Sequence, residues 1–289
     1  MDKKSRTSFK QTIKNILGGI AEGICGYSAL RALNKRKLLI ICYHRVLRTT
    51  DAHSVACRDM FTDLESFREQ MRFIRTHYTP VSEQDIIDDI QGIKQLPDFP
   101  VWVTFDDGYL DNYTLAYPVL KEFGIPATFF ISTGLIDHEA EALCDLEHNQ
   151  GIDARKAKRI FMSWDHIREL SREGFYIGGH SRSHRVLSVL RPGQVADEIA
   201  SAKQVIEKNI GKPVNSFAYP YGKRADFDVK VCFPVLRDNG YKMAVSTIGG
   251  NNDLAGRQHH FDLRRVGISF KEPFSFFKLK LVTGSAWQR

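Results

Sequence analysis

Two aspartates and two histidines in this 289-residue chain have the types and spacing of a metal-dependent hydrolytic site. Asp106 and Asp107 are adjacent and precede Gly108, and His180 and His184 stand four residues apart. Taken alone, Asp-Asp-Gly is typical of a turn, and two such histidines are typical of a protein surface. On a helix, however, residues four apart share one face and can bind the same ion. One carboxylate and two imidazoles form a three-ligand metal site that leaves a position open for water. The second aspartate is then free to act as a base.

Other residues of interest also follow short apolar segments. His44 ends one such segment, and the loop of Tyr219, Pro220 and Tyr221 follows another. Apolar segments likewise precede the aspartates and the first histidine. Because the carboxyl ends of parallel strands meet at one edge of a sheet or barrel, we expect these side chains to meet at one mouth.

The elements that must position these residues alternate between buried strands and amphipathic helices. The predicted strands cover residues 37–44, 100–105, 127–132, 175–179, 215–220 and 242–247. The predicted helices cover 63–77, a short segment capped by Ser82 and Asp85, 111–123 with a bend or restart at Pro118, the segment from Ser163 to Gly174, and the segment from Pro192 to Gly211. This alternation predicts an α/β fold with a mostly parallel sheet or barrel.

Charge and cysteine content restrict the surroundings of the protein. The net charge is +7, and Lys and Arg are frequent in a predicted basic helical segment over residues 1–36. This segment is predicted either to contact a membrane surface or to be a solvated helix face. Glu22 interrupts the apolar residues of 16–32, so neither a signal peptide nor a membrane span is predicted, with an uncleaved signal-like anchor as the alternative. The five cysteines contain no C-x-x-C pair, which favours a reducing compartment and a cytoplasmic protein, with peripheral contact at the inner membrane as a further expectation.

A single domain is predicted over residues 37–289, with a polar inserted loop near 136–160. Near its end, aromatic and aliphatic residues alternate with lysines over 274–281. We expect this run to pack on the domain, with membrane contact as the alternative.

Three sequence motifs resemble those of the polysaccharide deacetylases with a NodB homology domain, carbohydrate esterase family 4. They are TFDDG at 104–108, HSRSH at 180–184 and FAYPYG at 217–222, and the resemblance covers roughly residues 38–270. The resemblance implies a distorted (β/α) barrel that removes N-acetyl, or in some members O-acetyl, groups from a glycan of a bacterial exopolysaccharide or envelope pathway. It also implies a divalent metal, usually Zn²⁺, with Co²⁺ or Ni²⁺ in some members. The implied metal ligands are Asp107, His180 and His184, with Asp106 as the base.

Two departures from the family pattern concern the proton-transfer residues. Many members carry an Arg in the third motif that orients the base, but Ala218 stands there, and Arg265 is a candidate to replace it. Many members also carry a late L-x-H motif that supplies the acid, and no such motif follows residue 240. In circularly permuted members the acid follows the first strand, and Tyr43-His44-Arg45 is similar to that arrangement. His44 is therefore the predicted acid, with a structural His as the alternative.

The remaining site predictions also come from the resemblance. The backbone N–H of Tyr221 is expected to stabilise the oxyanion, and Tyr219, Pro220 and Trp164 are expected to contact the substrate. For Trp164, a place in the core is the alternative.

Two other functional classes stay open at this point. A non-catalytic, metal-containing glycan-binding homologue of the same fold would explain the missing Arg in the third motif. A basic protein that binds nucleic acid or membranes would explain the charge, but it leaves the aspartates and histidines without a role. An acetylated glycan is therefore the expected partner, and nucleic acid is not expected.

Overall fold

The computed structural model describes residues 26–50, 61–138, 160–254, 259–269 and 272–284. Within these ranges the strands are β1 (Leu39–Tyr43), β2 (Arg45–Leu47), β3 (Phe61–Asp63), β4 (Thr79–Pro80), β5 (Pro100–Phe105), β6 (Ala127–Ile131), β7 (Tyr176–Gly179), β8 (Ser216–Ala218), β9 (Met243–Val245) and β10 (Val266–Gly267). The α-helices in the same ranges are α1 (Gly26–Ala32), α2 (Leu64–His77), α3 (Glu83–Ile90), α4 (Tyr117–Phe123), α5 (Trp164–Arg172), α6 (Pro192–Ile210), α7 (Val229–Asp238) and α8 (Phe274–Thr283).

A curled parallel sheet forms the centre of the molecule. Its strand order is β10-β1-β5-β6-β7-β8-β9, β4 adds to β5, and β2 and β3 form a separate parallel pair. Residues 263–268 run between the two edges of the curl. Leu263 accepts a hydrogen bond from the Ser246 backbone N–H beyond β9, and Ile268 donates one to the Cys42 carbonyl of β1. The predicted fold class, a distorted (β/α) barrel, is confirmed.

Side chains alternate between two apolar layers because successive residues of a strand point to opposite faces. In β1, Leu39 and Ile41 belong to the large core between the sheet and the helices, whereas Ile40 belongs to a smaller core inside the curl. Trp102 and Phe130 lie in the same inner core. Both faces of the central strands are therefore buried, which explains their nearly continuous apolar sequence.

The predicted helix boundaries are largely confirmed by the residues that cap or restart the helices. Ser82 and Asp85 form a reciprocal capping box, and the Ser163 hydroxyl accepts a hydrogen bond from the His166 backbone. Gly211 ends α6 in the left-handed conformation. The predicted restart at Pro118 is also present, because a π-helical turn over Asn112–Ala116 precedes α4.

Several elements differ from the sequence prediction. The strands expected at 215–220 and 242–247 are only three residues long, because the chain turns into site loops after them. Helix α7 was not predicted, and its interior Pro234 is a residue that normally breaks a helical pattern. The aromatic run near the C-terminus forms α8 and buries Phe276 and Phe277, so it packs on the domain as expected.

Parts of two predicted segments lie outside the described residues. For the N-terminal segment these are residues 1–25, and for the inserted loop they are 139–159. Helix α1 follows residues 1–25 and contacts the domain. The Tyr27 hydroxyl of this helix lies 2.5 Å from the Tyr78 hydroxyl. Among the described helices, none is both long and apolar enough to cross a membrane.

Candidate metal centre and active site

The strand ends bring the two main motifs to one mouth of the barrel. Asp106 and Asp107 follow directly on β5, and His180 follows β7, two strands away in the parallel sheet. Asp107, His180 and His184 are buried with relative exposures of 4%, 2% and 9%. These positions match the expectation that the carboxyl ends of the strands carry the site.

The three predicted metal ligands converge on one point. Asp107 Oδ1 lies 3.2 Å from His180 Nε2 and 3.1 Å from His184 Nε2. The spacing of the histidines allows them to lie on one face of a helix, but the structure does not place them on a helix. They belong to a loop in which Ser181 and His184 have φ angles of 63° and 53°. This left-handed backbone, rather than a helical turn, aims His184 at the carboxylate.

The hydrogen-bond pattern of this cluster fits a bound divalent cation. His180 Nδ1 lies 2.8 Å from the Ala218 carbonyl oxygen, which can only accept, so Nδ1 carries the hydrogen and Nε2 presents a lone pair. Although Asp107 Oδ1 is buried and within ion-pair distance of both imidazoles, it receives no hydrogen bond. For a tetrahedral zinc ion, bond lengths of about 2.0–2.1 Å separate two such ligand atoms by roughly 3.3 Å. The distances from Asp107 Oδ1 to the two histidine nitrogens are close to this value.

Charge also favours a cation at this position. Burial alone would raise the pKa of Asp107, but the adjacent His184 and His180, in their charged forms, outweigh it and hold that pKa well below its usual value. The carboxylate is therefore ionised and faces two nitrogen ligands.

The loop that carries the histidines is fixed from two sides. Glu198 of α6, itself buried, accepts hydrogen bonds from the backbone N–H groups of Arg182 at 3.0 Å and Ser183 at 2.8 Å. Ser132, after β6, donates to the His180 carbonyl at 2.8 Å. The loop therefore presents its imidazoles in a set orientation, as a metal site requires.

The second aspartate has a different environment. Arg265 forms two parallel hydrogen bonds to Asp106, each 2.7 Å long, and its side chain is fully buried. Burial alone would raise the pKa of Asp106, but the guanidinium outweighs it and lowers that pKa. Ala218 has no basic group, and Arg265 reaches Asp106 because residues 263–268 close the curl beside β1.

His44 follows β1, which pairs with β5 on the edge opposite to β6 and β7, and it is half-buried. A ring nitrogen of His44 lies within 4.8 Å of an Asp106 carboxylate oxygen and of the Cys42 sulfur. Asn112 donates a 2.7 Å hydrogen bond to the His44 carbonyl, and Asp111 accepts 2.8 Å bonds from Arg45 Nε and the Val46 N–H. These hydrogen bonds join the segment after β1 to the residues that follow the aspartate motif.

Three residues expected to contact substrate are buried. Tyr219 is 1% exposed, stacks on Phe227 and donates its hydroxyl hydrogen to the Phe261 carbonyl. Pro220 is buried beside it, and Trp164 is 8% exposed within the large core. Their side chains are therefore positioned for packing, and the core alternative is the one that the structure shows for Trp164.

Tyr221 is placed differently from its neighbours in the third motif. It is 40% exposed, its ring centroid lies 5.0 Å from that of His184, and its φ angle is 60°. Its carbonyl accepts a hydrogen bond from the Thr247 hydroxyl, which holds the loop. Tyr221 therefore borders the mouth beside the metal ligands.

Sequence reasoning missed Glu198 and Asn112 as supporting residues. Glu198 could have been found, because it is a carboxylate on the apolar stripe formed by Val195, Ile199 and Ala202. Asn112 gave no such signal, since an Asn after a turn motif is common.

A comparison of the sequence with protein families decides where this site belongs. The polysaccharide deacetylase family matches residues 93–251, which is more than half of the chain. The chain belongs to the polysaccharide deacetylase family. The resemblance predicted from the motifs is therefore confirmed.

Two relatives of this deacetylase-family chain show how far the similarity in sequence extends. It is 31% identical to YxkH of Bacillus subtilis over 170 residues, which cover 58% of this chain and 51% of YxkH. It is 25% identical over 227 residues to the poly-beta-1,6-N-acetyl-D-glucosamine N-deacetylase of Staphylococcus aureus, covering 72% of this chain and 71% of that protein. The chain thus spans about half the length of YxkH and a larger share of the staphylococcal protein.

Solved deacetylase structures share the fold. The structure of IcaB from Ammonifex degensii superposes with a TM-score of 0.66 at 25% identity, covering 86% of this chain and 98% of IcaB. The Streptococcus pyogenes deacetylase PplD, solved in complex with acetate, superposes with a TM-score of 0.69 at 20% identity, covering 86% and 99%. These likenesses show that the shared fold extends beyond residues 93–251.

Proposed function

We propose that this chain is a metal-dependent glycan deacetylase that hydrolyses N-acetyl groups of a polysaccharide. One observation carries the proposal: a buried carboxylate oxygen of Asp107 faces two imidazole nitrogens without a hydrogen bond, directly beside an Asp106 held by Arg265. The first cluster can hold an ion, and the second can hold a proton acceptor. Hydrolysis of an amide by metal-activated water at neutral pH uses both.

Asp107, His180 and His184 would hold the ion. Such an ion, when bound, polarises the acetyl carbonyl and makes water nucleophilic at neutral pH. The nitrogen and oxygen donors suit Zn²⁺ and also Co²⁺ or Ni²⁺. We propose Zn²⁺ as the native metal.

Asp106 acts as the base in this scheme. Its two hydrogen bonds from Arg265 fix the plane of the carboxylate and keep it ionised, so that a remaining lone pair can take the proton of the attacking water. Because the guanidinium comes from another part of the chain, the absence of an Arg at position 218 is no argument against catalysis.

His44 and Tyr221 complete the proposed reaction. In its charged form, His44 gives a ring-nitrogen proton to the departing amine, which would otherwise be a poor leaving group. The backbone N–H of Tyr221 donates to the oxyanion that forms as the carbonyl is attacked. Both residues lie at the mouth, next to Asp106 and His184 respectively.

The substrate class is an acetylated bacterial glycan. The staphylococcal relative is named for its action on poly-beta-1,6-N-acetyl-D-glucosamine, which supports an N-acetylglucosamine polymer as the first substrate to test. We further propose that residues 37–289 form the catalytic domain and that the protein works in the cytoplasm, with the basic segment 1–36 in peripheral contact with the inner membrane.

The test is acetate release from N-acetylglucosamine oligomers by the purified chain, before and after treatment with a chelator. We expect release that stops on chelation and returns when Zn²⁺ is added. A chain that binds the oligomers and one equivalent of metal but releases no acetate would be a non-catalytic glycan-binding homologue, and the proposal would be wrong. Retained release after complete metal removal would also contradict it.

A further inference from the structure

A second group of ligand-type side chains lies on the other side of Asp106. The Cys42 sulfur, a ring nitrogen of His44 and a carboxylate oxygen of Asp106 all lie within 4.8 Å of one another. We propose that these three residues form a second, inhibitory cation site that takes a thiol-seeking divalent ion such as Zn²⁺ or Cd²⁺. The inhibitory effect rests on the proposed function, whereas the binding itself does not.

The register of the sheet explains why these residues meet. Cys42 of β1 pairs with Thr104 of β5, so two positions further on His44 stands beside Asp106 at the carboxyl ends of the two strands. Alternation along a strand turns Cys42, like His44, away from Ile41 and Tyr43, which pack outward against the helices. The thiol thus points into the barrel, two residues before His44 along β1 and deeper than the mouth.

The spacing of these atoms suits a tetrahedral ion. Cys42 Sγ lies 3.4 Å from Asp106 Oδ2. With a zinc–sulfur bond of about 2.3 Å and a zinc–oxygen bond of about 2.0 Å, tetrahedral geometry separates the sulfur and oxygen by roughly 3.5 Å. The half-buried His44 completes three ligands and leaves the fourth position toward the mouth.

The two sites differ in chemical preference. The cluster of Asp107, His180 and His184 offers only oxygen and nitrogen, whereas this one includes sulfur and therefore favours softer ions. It also binds more weakly, because Arg265 already donates to both oxygens of Asp106 and places a positive charge next to the ion. The second site therefore fills only when metal is in excess.

Occupation of this site removes both proton-transfer residues from the reaction. An ion there uses the lone pairs of Asp106 and His44, and the thiol proton passes to solvent when the sulfur binds. The expected result is loss of deacetylation above a threshold of Zn²⁺ or Cd²⁺, with the first ion still in place.

The experiment compares wild type, Cys42→Ser and Cys42→Ala with a matched control, Cys232→Ser, which changes the buried thiol of α7. Each protein, loaded with one equivalent of Zn²⁺, is titrated with Cd²⁺ while the thiolate–cadmium absorption band and acetate release are recorded. Circular dichroism checks the fold of each variant, and Cys42→Ala serves if Cys42→Ser does not fold.

We expect wild type and Cys232→Ser to gain the absorption band and lose activity together. Because the chain has four other cysteines, the Cys42 variants should lose the part of the band that rises together with inhibition. The inhibitory Cd²⁺ concentration should rise at least roughly tenfold, since even outer partners of a metal are worth 10–100-fold in affinity. A band and an inhibitory concentration equal to those of wild type in the Cys42 variants would overturn the proposal. If no protein releases acetate, the proposed function fails, but the difference in absorption still decides whether the second site exists.

Discussion

The mouth and the base of the barrel each hold a buried carboxyl group, and the two groups have opposite electrostatic surroundings. At the mouth, Asp106 faces the guanidinium of Arg265, which lowers its pKa against the effect of burial. At the base, near the amino ends of the strands, Glu83 is hydrogen-bonded to Ser216 at 2.6 Å and Thr128 at 3.3 Å. There burial dominates, and the pKa of Glu83 is raised from 4.5 to about 7.

This difference shows which buried acid is available for chemistry. A carboxyl group whose hydrogen-bond partners are hydroxyls has a raised pKa when it is removed from water, so it stays neutral over a wider pH range. A carboxyl group that a buried guanidinium accompanies stays ionised and can accept a proton. The comparison therefore supports Asp106 as the proposed base and predicts a structural role for Glu83. Each of the following variants tests one of these two carboxyl groups or a residue that supports the site.

The largest effect is expected at Asp106. Asp106→Asn removes the proton acceptor but leaves the first metal cluster complete, so deacetylation should fall about 10²–10⁴-fold while one equivalent of metal is retained. Acetate release and elemental analysis on the same sample measure both. Turnover close to that of wild type would remove Asp106 from its proposed role and would end the contrast with Glu83.

The next variant tests the partner that keeps Asp106 ionised. Lys lacks the planar fork of Arg, so Arg265→Lys retains the charge but loses the paired hydrogen bonds that fix the carboxylate. We expect roughly a 10–100-fold lower kcat with little change in KM. Arg264→Lys, at the exposed neighbouring position, is the control and should behave like wild type. Equal losses of kcat in the two variants would mean that Arg265 does not position Asp106.

Glu198 tests the support of the metal ligands at the mouth. Glu198→Gln weakens the acceptor that holds the Arg182 and Ser183 backbone, so metal affinity should fall about 10-fold, at the lower end of the effects known for such partners. Asp197→Asn is the matched control, because the Asp197 side chain is exposed and forms an ion pair with the side chain of Arg182 rather than with the loop backbone. A chelator competition assay compares their affinities, and unchanged affinity in Glu198→Gln would contradict the role.

The smallest effect on activity is expected at the base of the barrel. Because the folded-state pKa of Glu83 lies above its ordinary value, its stabilising effect is complete below about pH 4.5 and is lost as the pH rises through about 7. Wild type should lose roughly 2–3 kcal/mol of unfolding free energy from this group between about pH 5 and about pH 8. Glu83→Gln, which stays neutral, should lose less over the same range while keeping its activity. Chemical denaturation at several pH values gives the slopes, and parallel slopes would contradict the assignment.

The sequence predicts most of the fold and the ligands because their signals are local. Alternating strands and helices, the caps at Ser82 and Ser163, and the two motifs can each be recognised within a short segment. Parallel pairing then places the ends of β5 and β7 at one mouth, so the meeting of Asp107 with His180 and His184 follows from topology.

The parts that could not be predicted depend on contacts between distant segments. The paired hydrogen bonds of Arg265 exist only because residues 263–268 join the two edges of the sheet, which no local pattern reveals. The left-handed backbone at Ser181 and His184 is set by the loop's anchors, so the spacing of the histidines alone wrongly allowed a helix. The burial of Trp164 at the start of α5 likewise depends on the layers packed around it.

The most direct test of the central claim is the metal content of two neighbouring variants, Asp106→Asn and Asp107→Asn, after excess metal has been removed by dialysis. If Asp107 binds the metal and Asp106 acts only as the base, wild type and Asp106→Asn retain one equivalent of metal. Asp107→Asn, like His184→Ala, then retains none. Circular dichroism confirms that each variant is folded. Retention of metal by folded Asp107→Asn, or its loss from folded Asp106→Asn, would contradict the account.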